Sequence, residues 1–342
     1  MFKYGAECLM FYKKLSVVGI FVSCLIVSTG LMGCRPAVTV PANMGYYAIT
    51  SGPGGKLWFI ESYADKIGEI SPATGSNTTY DIPTVDSYPI DITTGKDGNL
   101  WFTEEGGNKV GEISPATGAI REYNVPTDNS FPYGITAGPD GNLWFTESLG
   151  NKIGEISPLT GVITEYNIST AKTYPSEITA GPDGNLWFTE ESGNKIGKIS
   201  PATGVITEYD VPAATAGTAD ITAGPDGNLW FTDESGNKIG KLSPVTGSVT
   251  EYNIPTANTN PIDITAGPDG NLWFTEEIGN QIGKISPKTE AITEYYVPIA
   301  HAFPDGIIVG PNGNLWFTEN LTYKIGKISL TDGKITEYTI QN

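Results

Sequence analysis

Acids and aromatic rings recur at fixed distances from seven tryptophans, and they are this chain's means of doing chemistry. Trp58, Trp101, Trp144, Trp187, Trp230, Trp273 and Trp316 follow one another at intervals of 43 residues. Three residues after each stands an acid: Glu61, Glu104, Glu147, Glu190, Asp233, Glu276 and Glu319. Glu105, Glu191, Glu234 and Glu277 occupy the next position in four copies. The segments leading into the tryptophans add Asp91, Glu177, Asp220, Asp263 and Asp305. They also add the rings of Tyr47, Tyr88, Phe131, Tyr133, Tyr174 and Phe303, with Tyr323 beyond the last tryptophan. Apolar rings among acids suit an organic or peptide ligand. Unpaired carboxylates suit a hard cation, Mg²⁺ or Ca²⁺, held through oxygen.

Six of the seven acids after Trp face a lysine five residues on, as Glu147 faces Lys152, so cross-strand ion pairs are expected there. Glu276 faces Gln281 instead, which leaves Glu276, Glu277, Asp263 and Asp305 as the unpaired group. Asp263 and Glu277 of this group are candidate metal ligands. The only histidine, His301, lies four residues before Asp305. These two are the candidate catalytic residues. One histidine without a serine and acid beside it makes no nucleophilic triad, and no P-loop occurs. The acids are too many for any pair to stand out as a glycosidase couple.

These residues need a scaffold that repeats without insertion. The unit "GPDGNLWFTE…GNKIGKISPATGVITEY" alternates turn signals with short β-branched and aromatic runs and leaves no room for a helix of ordinary length. Four strands in about 43 residues make a propeller blade, so the expected fold is an all-β, seven-bladed β-propeller of four-stranded antiparallel blades over residues 45–342. A four-residue loop sets Phe145 opposite Gly154 and Leu143 opposite Ile156, and turns Trp144 and Ile153 to the other face. Both faces are then apolar, as a blade between two neighbours requires. An open solenoid is disfavoured, since the end copies carry no polar caps. Alternation of strand direction gathers the connectors and the second turns on one face, the expected ligand face.

The first 33 residues read as an export signal: "KKLSVVGIFVSCLIVSTGLMGC" has lysines, an apolar run and small residues before Cys34. "LMGC" resembles a bacterial lipoprotein box, making Cys34 the lipidation site and residues 34–44 a tether. A plain signal anchor is the alternative. All three cysteines lie within residues 1–34, so the rest forms no disulfide and no thiolate site. Removing residues 1–33 takes away three lysines and one glutamate, and the net charge of −18 becomes −20. Such a charge excludes nucleic acid as a partner and restricts membrane contact to the lipid anchor. A monomer is expected. The last copy completes its own blade, and Ala37 to Pro41 are either an extra closing strand or part of the tether.

At "GPDGNLWFTE…GNKIGKI…TEY" the chain resembles the streptogramin B lyase (virginiamycin B lyase) family of seven-bladed propellers, over essentially all of residues 45–342. The resemblance implies elimination across the ester linkage of a cyclic depsipeptide antibiotic, with Mg²⁺ and a histidine base. The family's histidines follow a proline in "Pro-His-Ala-Ile" and "Pro-His-Gly-Ile". The matching segments here are "PIDI" and "PDGI", which put Ile262 and Asp305 in the histidine slots. A family metal carboxylate matches Glu319 or Asn320, and another falls near Phe303, which cannot ligate. Asp305 could replace the base only if crowding by other acids raised its pKa. Two readings follow: a tethered propeller that binds a ligand through Tyr47, Tyr133, Ile262, Phe303 and Tyr323 without turnover, or a lyase of the family's kind. A lactonase-like metal propeller is a third, for which no metal set is distinguished.

Overall fold

The computed structural model describes residues 45–212 and 217–340. The signal, the tether, Cys34 and Ala37 to Pro41 lie outside the described residues. Seven sheets of four antiparallel strands, each in sequence order, form the β-propeller. Blade 3 is representative, with strands Pro132–Ala137, Leu143–Glu147, Lys152–Ile156 and Ile163–Asn167. Two single 3-10 turns in blade 1 are the only helical segments among the described residues.

Register follows from the four-residue loop after the second strand. Leu143 pairs with Ile156, Phe145 with Gly154 and Glu147 with Lys152. Gly154 is required by close approach: a Cβ there would lie 2.1 Å from the Phe145 ring. The two faces bury against different neighbours. Leu143, Phe145 and Ile156 pack on Trp101 and Val110 of blade 2, while Trp144 and Ile153 pack on Leu186, Phe188 and Ile199 of blade 4. All seven tryptophans are sealed from solvent, and each such ring contributes roughly 1.5–3 kcal/mol through burial. Tyr166 stacks on Trp144 at 5.5 Å. Asp140 accepts the indole N–H at 3.2 Å, so the ring's one polar atom is satisfied.

The first strands meet around the axis, and that of blade 7 contacts that of blade 1. Closure uses whole blades. Trp316 and Ile325 of blade 7 pack on Leu57, Phe59 and Ile70 of blade 1, and Ser51 Oγ donates to the Val309 carbonyl at 2.7 Å.

Candidate functional site

At one end of the ring each connector bonds to the second turn of its own blade. The Tyr88, Phe131, Tyr174 and Phe303 carbonyls accept from the N–H groups of Glu105, Ser148, Glu191 and Asn320 at 3.0 to 3.2 Å. All four aromatics have left-handed backbones, with φ between 44° and 57°. Bulky residues avoid this region, and strain of this kind costs of order 1–3 kcal/mol per residue. Blades 1 and 5 place Gly45 and Gly217 at the same position, and blade 6 places Asn260. The rings are half-buried, so part of each still faces solvent.

His301 is exposed, with φ of 62°, in a slot that holds Asp86, Asn129, Lys172 and Asn258, all left-handed as well. Its ring stacks near that of Phe303, with centroids 6.3 Å apart.

Below the connectors, each first strand carries a β-bulge at the residues singled out in the sequence. Pairing shifts between Pro261 and Ile264 and between Pro304 and Ile307. Bulges of this sort re-aim side chains next to sites. In blades 2 to 7 a sealed threonine pins the bulge, where blade 1 has Ile60: Thr275 Oγ1 accepts from the Asp263 N–H at 3.1 Å, and Thr318 Oγ1 accepts from the Gly306 N–H at 2.9 Å. Thr232 Oγ1 also donates at 2.6 Å to the Ile262 carbonyl of the next blade. Sequence reasoning passed over these threonines, although a Thr two residues after Trp in six of the seven copies was a readable signal.

The pinned positions bring acids together at the axis. Asp91, Asp220 and Asp263 each accept, through Oδ2, a backbone N–H of the following blade, at 2.7 to 2.8 Å from Ile135, Ile264 and Ile307. Burial pushes the Asp91 carboxyl up to about 7. Glu177 and Asp220 are driven well above the usual carboxylate range by burial and by the neighbouring axial acids. Asp305 rises in the same way, through burial first and then Glu277, Asp263 and Glu234. Asn320 Nδ2 donates to Asp305 Oδ2 at 3.3 Å and opposes this in part. Tyr133, one of the expected ligand residues, is raised by burial and by Glu177.

Three expectations change. The acids after Trp stand opposite their lysines but do not pair with them. Lys109 reaches Glu122 at 3.1 Å and Lys152 reaches Glu165 at 2.8 Å, on the fourth strand. Lys195 goes to exposed Asp210. Among the described residues the carboxyl oxygens of Glu104, Glu147, Glu190 and Glu276 accept no well-formed hydrogen bond and are fully buried, with Glu122, Glu165, Glu208 and Glu294 of the fourth strands beside them. Glu276 therefore belongs to the interior of blade 6 and not to the unpaired surface group.

The metal set is the second change. Among the described residues no three His, Cys, Asp or Glu side chains are gathered to hold an ion. Glu319 is sealed in blade 7 with Oε2 accepting from Thr322 Oγ1 at 2.6 Å. Glu277 Oε2 takes the Asn260 amide at 2.8 Å, and Asp263 Oδ2 is committed to Ile307. The residues present do not fit the Mg²⁺ that the resemblance implies. Third, Tyr323 packs against the seam cluster between blades 7 and 1. Of the remaining ligand residues, Ile262 and Tyr133 share the bulge position with Asp305, and the Tyr47 side chain lies outside what the structure describes.

Comparison with known proteins accounts for this architecture. The profile of the Virginiamycin B lyase family matches residues 35–245 and 201–342. Virginiamycin B lyase from Staphylococcus aureus, in selenomethionine form, is 43% identical with a TM-score of 0.78, covering 83% of this chain and 96% of that one. A streptogramin B lyase structure is 38% identical with a TM-score of 0.79, covering 91% and 98%. A catalytically inactive His-to-Ala variant of the S. aureus lyase, crystallised with quinupristin, is 40% identical with a TM-score of 0.78, covering 88% and 96%. A search of curated proteins gives no match. With the seven blades, the 43-residue unit and these relatives in agreement, the chain belongs to the virginiamycin B lyase family.

Proposed function

We propose that this protein is an exported, lipid-anchored, monomeric member of the family that binds a cyclic depsipeptide, or an organic ring of similar make, on its connector face without opening it. The observation that carries this reading is the set of left-handed aromatics, Tyr88, Phe131, Tyr174 and Phe303. Gly45 and Gly217 make the same carbonyl-to-turn bond in blades 1 and 5 from a near-extended backbone, with φ of 157° and 156°, so the strained left-handed form is not needed for that bond and the rings are retained for what their faces contact. Absence of turnover follows from the histidine slots. Ile262 has no proton acceptor. Burial and the acids around Asp305 disfavour the charged form that a base would need. General-base help is worth about 10²–10⁴-fold. The inactive S. aureus variant with quinupristin shows that a relative lacking one histidine still holds such a ligand.

Calorimetric titration of the full-length chain with quinupristin tests the binding. Phe131→Ala with Tyr174→Ala is expected to weaken it by about tenfold or more, the usual cost of truncating aromatic anchors. No heat with the unsubstituted protein would remove the reading. Anchoring is tested by Cys34→Ala, which is expected to abolish partition into detergent; a wild-type chain that stays in the aqueous phase contradicts the anchor.

A second reading is a lyase in which Asp305 takes the proton. The crowding that raises its carboxyl favours this, since a raised carboxylate is a stronger base. It predicts ring opening that increases with pH and disappears in Asp305→Ala.

A further inference from the structure

Blades 2 and 3 each hold a carboxyl that is buried completely, opposite a lysine that turns away from it. Glu104 and Glu147 are inaccessible to solvent, and as ionised acceptors their four carboxyl oxygens find no well-formed donor among the described residues, while Glu122 and Glu165 of the fourth strands lie within hydrogen-bond reach of a protonated carboxyl. Each lies under the second turn of its blade: a Cβ on Gly107 would stand 2.8 Å from Glu104 Oε2, and one on Gly150 would stand 2.9 Å from Glu147 Oε2 and 3.1 Å from the Ser130 Cβ.

The groups around these acids hold the connectors. Glu165 Oε1 accepts the Thr127 N–H at 2.8 Å, and its Oε2 accepts the Thr127 hydroxyl at 2.9 Å. Lys152 bridges Glu165 and Thr127 Oγ1. In blade 2, Glu122 accepts the Thr84 N–H at 3.1 Å, and Lys109 bridges Glu122 and Thr84. The Ser87 and Ser130 carbonyls are then tied to the second turns, one residue before Tyr88 and Phe131. Each lysine's charge is spent on the fourth-strand glutamate. A second negative charge at Glu104 or Glu147 would be buried without compensation beside a carboxylate, which costs several kcal/mol. A neutral carboxyl instead supplies the O–H donor that this acceptor-rich pocket lacks.

We propose that Glu104 and Glu147 are proton-loaded latches: neutral, each clamps the aromatic connector entering its blade, and on ionising it releases that connector from the ligand face. The charged and titratable groups facing Glu104 are Lys109 on the third strand, Glu122 on the fourth and Asp65 of blade 1. Those facing Glu147 are Lys152 and Glu165, with the Ser130 hydroxyl from the connector. Burial, followed by the fourth-strand glutamate, raises both carboxyls to about 8, against the pull of the lysine. The sign follows from linkage. A carboxyl that is raised on folding stabilises the fold fully below its unfolded pKa, and that contribution is lost as pH rises through the folded value. Glu190 repeats the arrangement in blade 4 with Lys195 directed to Asp210, so its clamp lacks the lysine bridge. The latch is a property of the fold and stands or falls independently of the ligand proposed above.

The test is amide hydrogen exchange of the full-length chain at about pH 5 and about pH 9, corrected for intrinsic exchange. Connector peptides 83–88 and 126–131 are expected to lose about tenfold or more in protection at the higher pH. Glu104→Gln with Glu147→Gln, whose amides keep a donor in place, should match wild type at the lower pH and retain that protection at the higher. Connectors equally protected at both pH values in wild type, or equally loosened in wild type and variant, overturn the latch. If the double variant does not fold, infrared difference spectra of wild type and of the single variants Glu104→Gln and Glu147→Gln decide: a neutral-carboxyl band present near pH 6, gone near pH 9 and diminished in a single variant supports it, and a band unchanged by either substitution overturns it.

Discussion

Asp305 stands where the family resemblance places a histidine, in a frame that its own side chain does not set. The residue follows Pro304 within the bulge, and the bulge geometry is set by the backbone and by Thr318, not by the side chain. What changes is the electrostatics: the carboxyl joins Asp263, Glu277 and Glu234 in a buried acidic group. Because its pKa is raised on folding, the carboxyl's contribution to stability is full at acid pH and falls as pH rises. Asp305→Asn is therefore expected to leave the thermal midpoint unchanged near pH 5 and to raise it near pH 9, measured by calorimetric scans. A variant that lowers the midpoint at both pH values would show that Asp305 is ionised and held by Asn320. Placement of Asp305 in a histidine slot was legible from the "PDGI" segment. The upward shift of its carboxyl was not, since that depends on burial and on Glu277, Asp263 and Glu234, which only the closed ring brings near.

At the scale of the element, the connector latch is the feature that spacing alone concealed. Asn151, at φ of 56°, donates from Nδ2 to the Ile168 and Thr170 carbonyls and accepts at Oδ1 from the N–H and hydroxyl of Thr173. One side chain thus joins the second turn of blade 3 to the connector entering blade 4. Asn108 and Asn237 do the same for their blades. Asn151→Ala removes four bonds and leaves buried partners unsatisfied, so a loss of about 2–4 kcal/mol is expected in urea unfolding. A loss within about 0.5 kcal/mol would mean the connector is held by other contacts. The register of the second and third strands, by contrast, was readable, because a fixed four-residue loop leaves Phe145 and Gly154 no other pairing. The lysine partners were misread for a related reason. Facing residues on two strands suggested pairs, while Glu122 and Glu165 on the fourth strand share the same face and also cap a connector.

The whole molecule is a ring of near-identical blades whose chemistry lies in the departures from identity. Apolar faces, the tryptophan ladder and the seam at Trp316 follow from the repeat, and their legibility reflects how strongly burial constrains them. The departures sit on one end: aromatics on strained left-handed backbones, acids at the axis, and Ile262 and Asp305 where the family resemblance places histidines. The central claim is that this end binds without catalysing. The most direct measurement is mass spectrometry of quinupristin incubated with the wild-type chain, alongside Ile262→His combined with Asp305→His. Wild type is expected to return the intact ring, and the double variant to yield the linear product if base placement alone was lost. Linear product from wild type at about 1–10³ turnovers per second, the usual enzyme range, persisting in Asp305→Ala, would contradict the account and place the base on a residue other than those in the histidine slots.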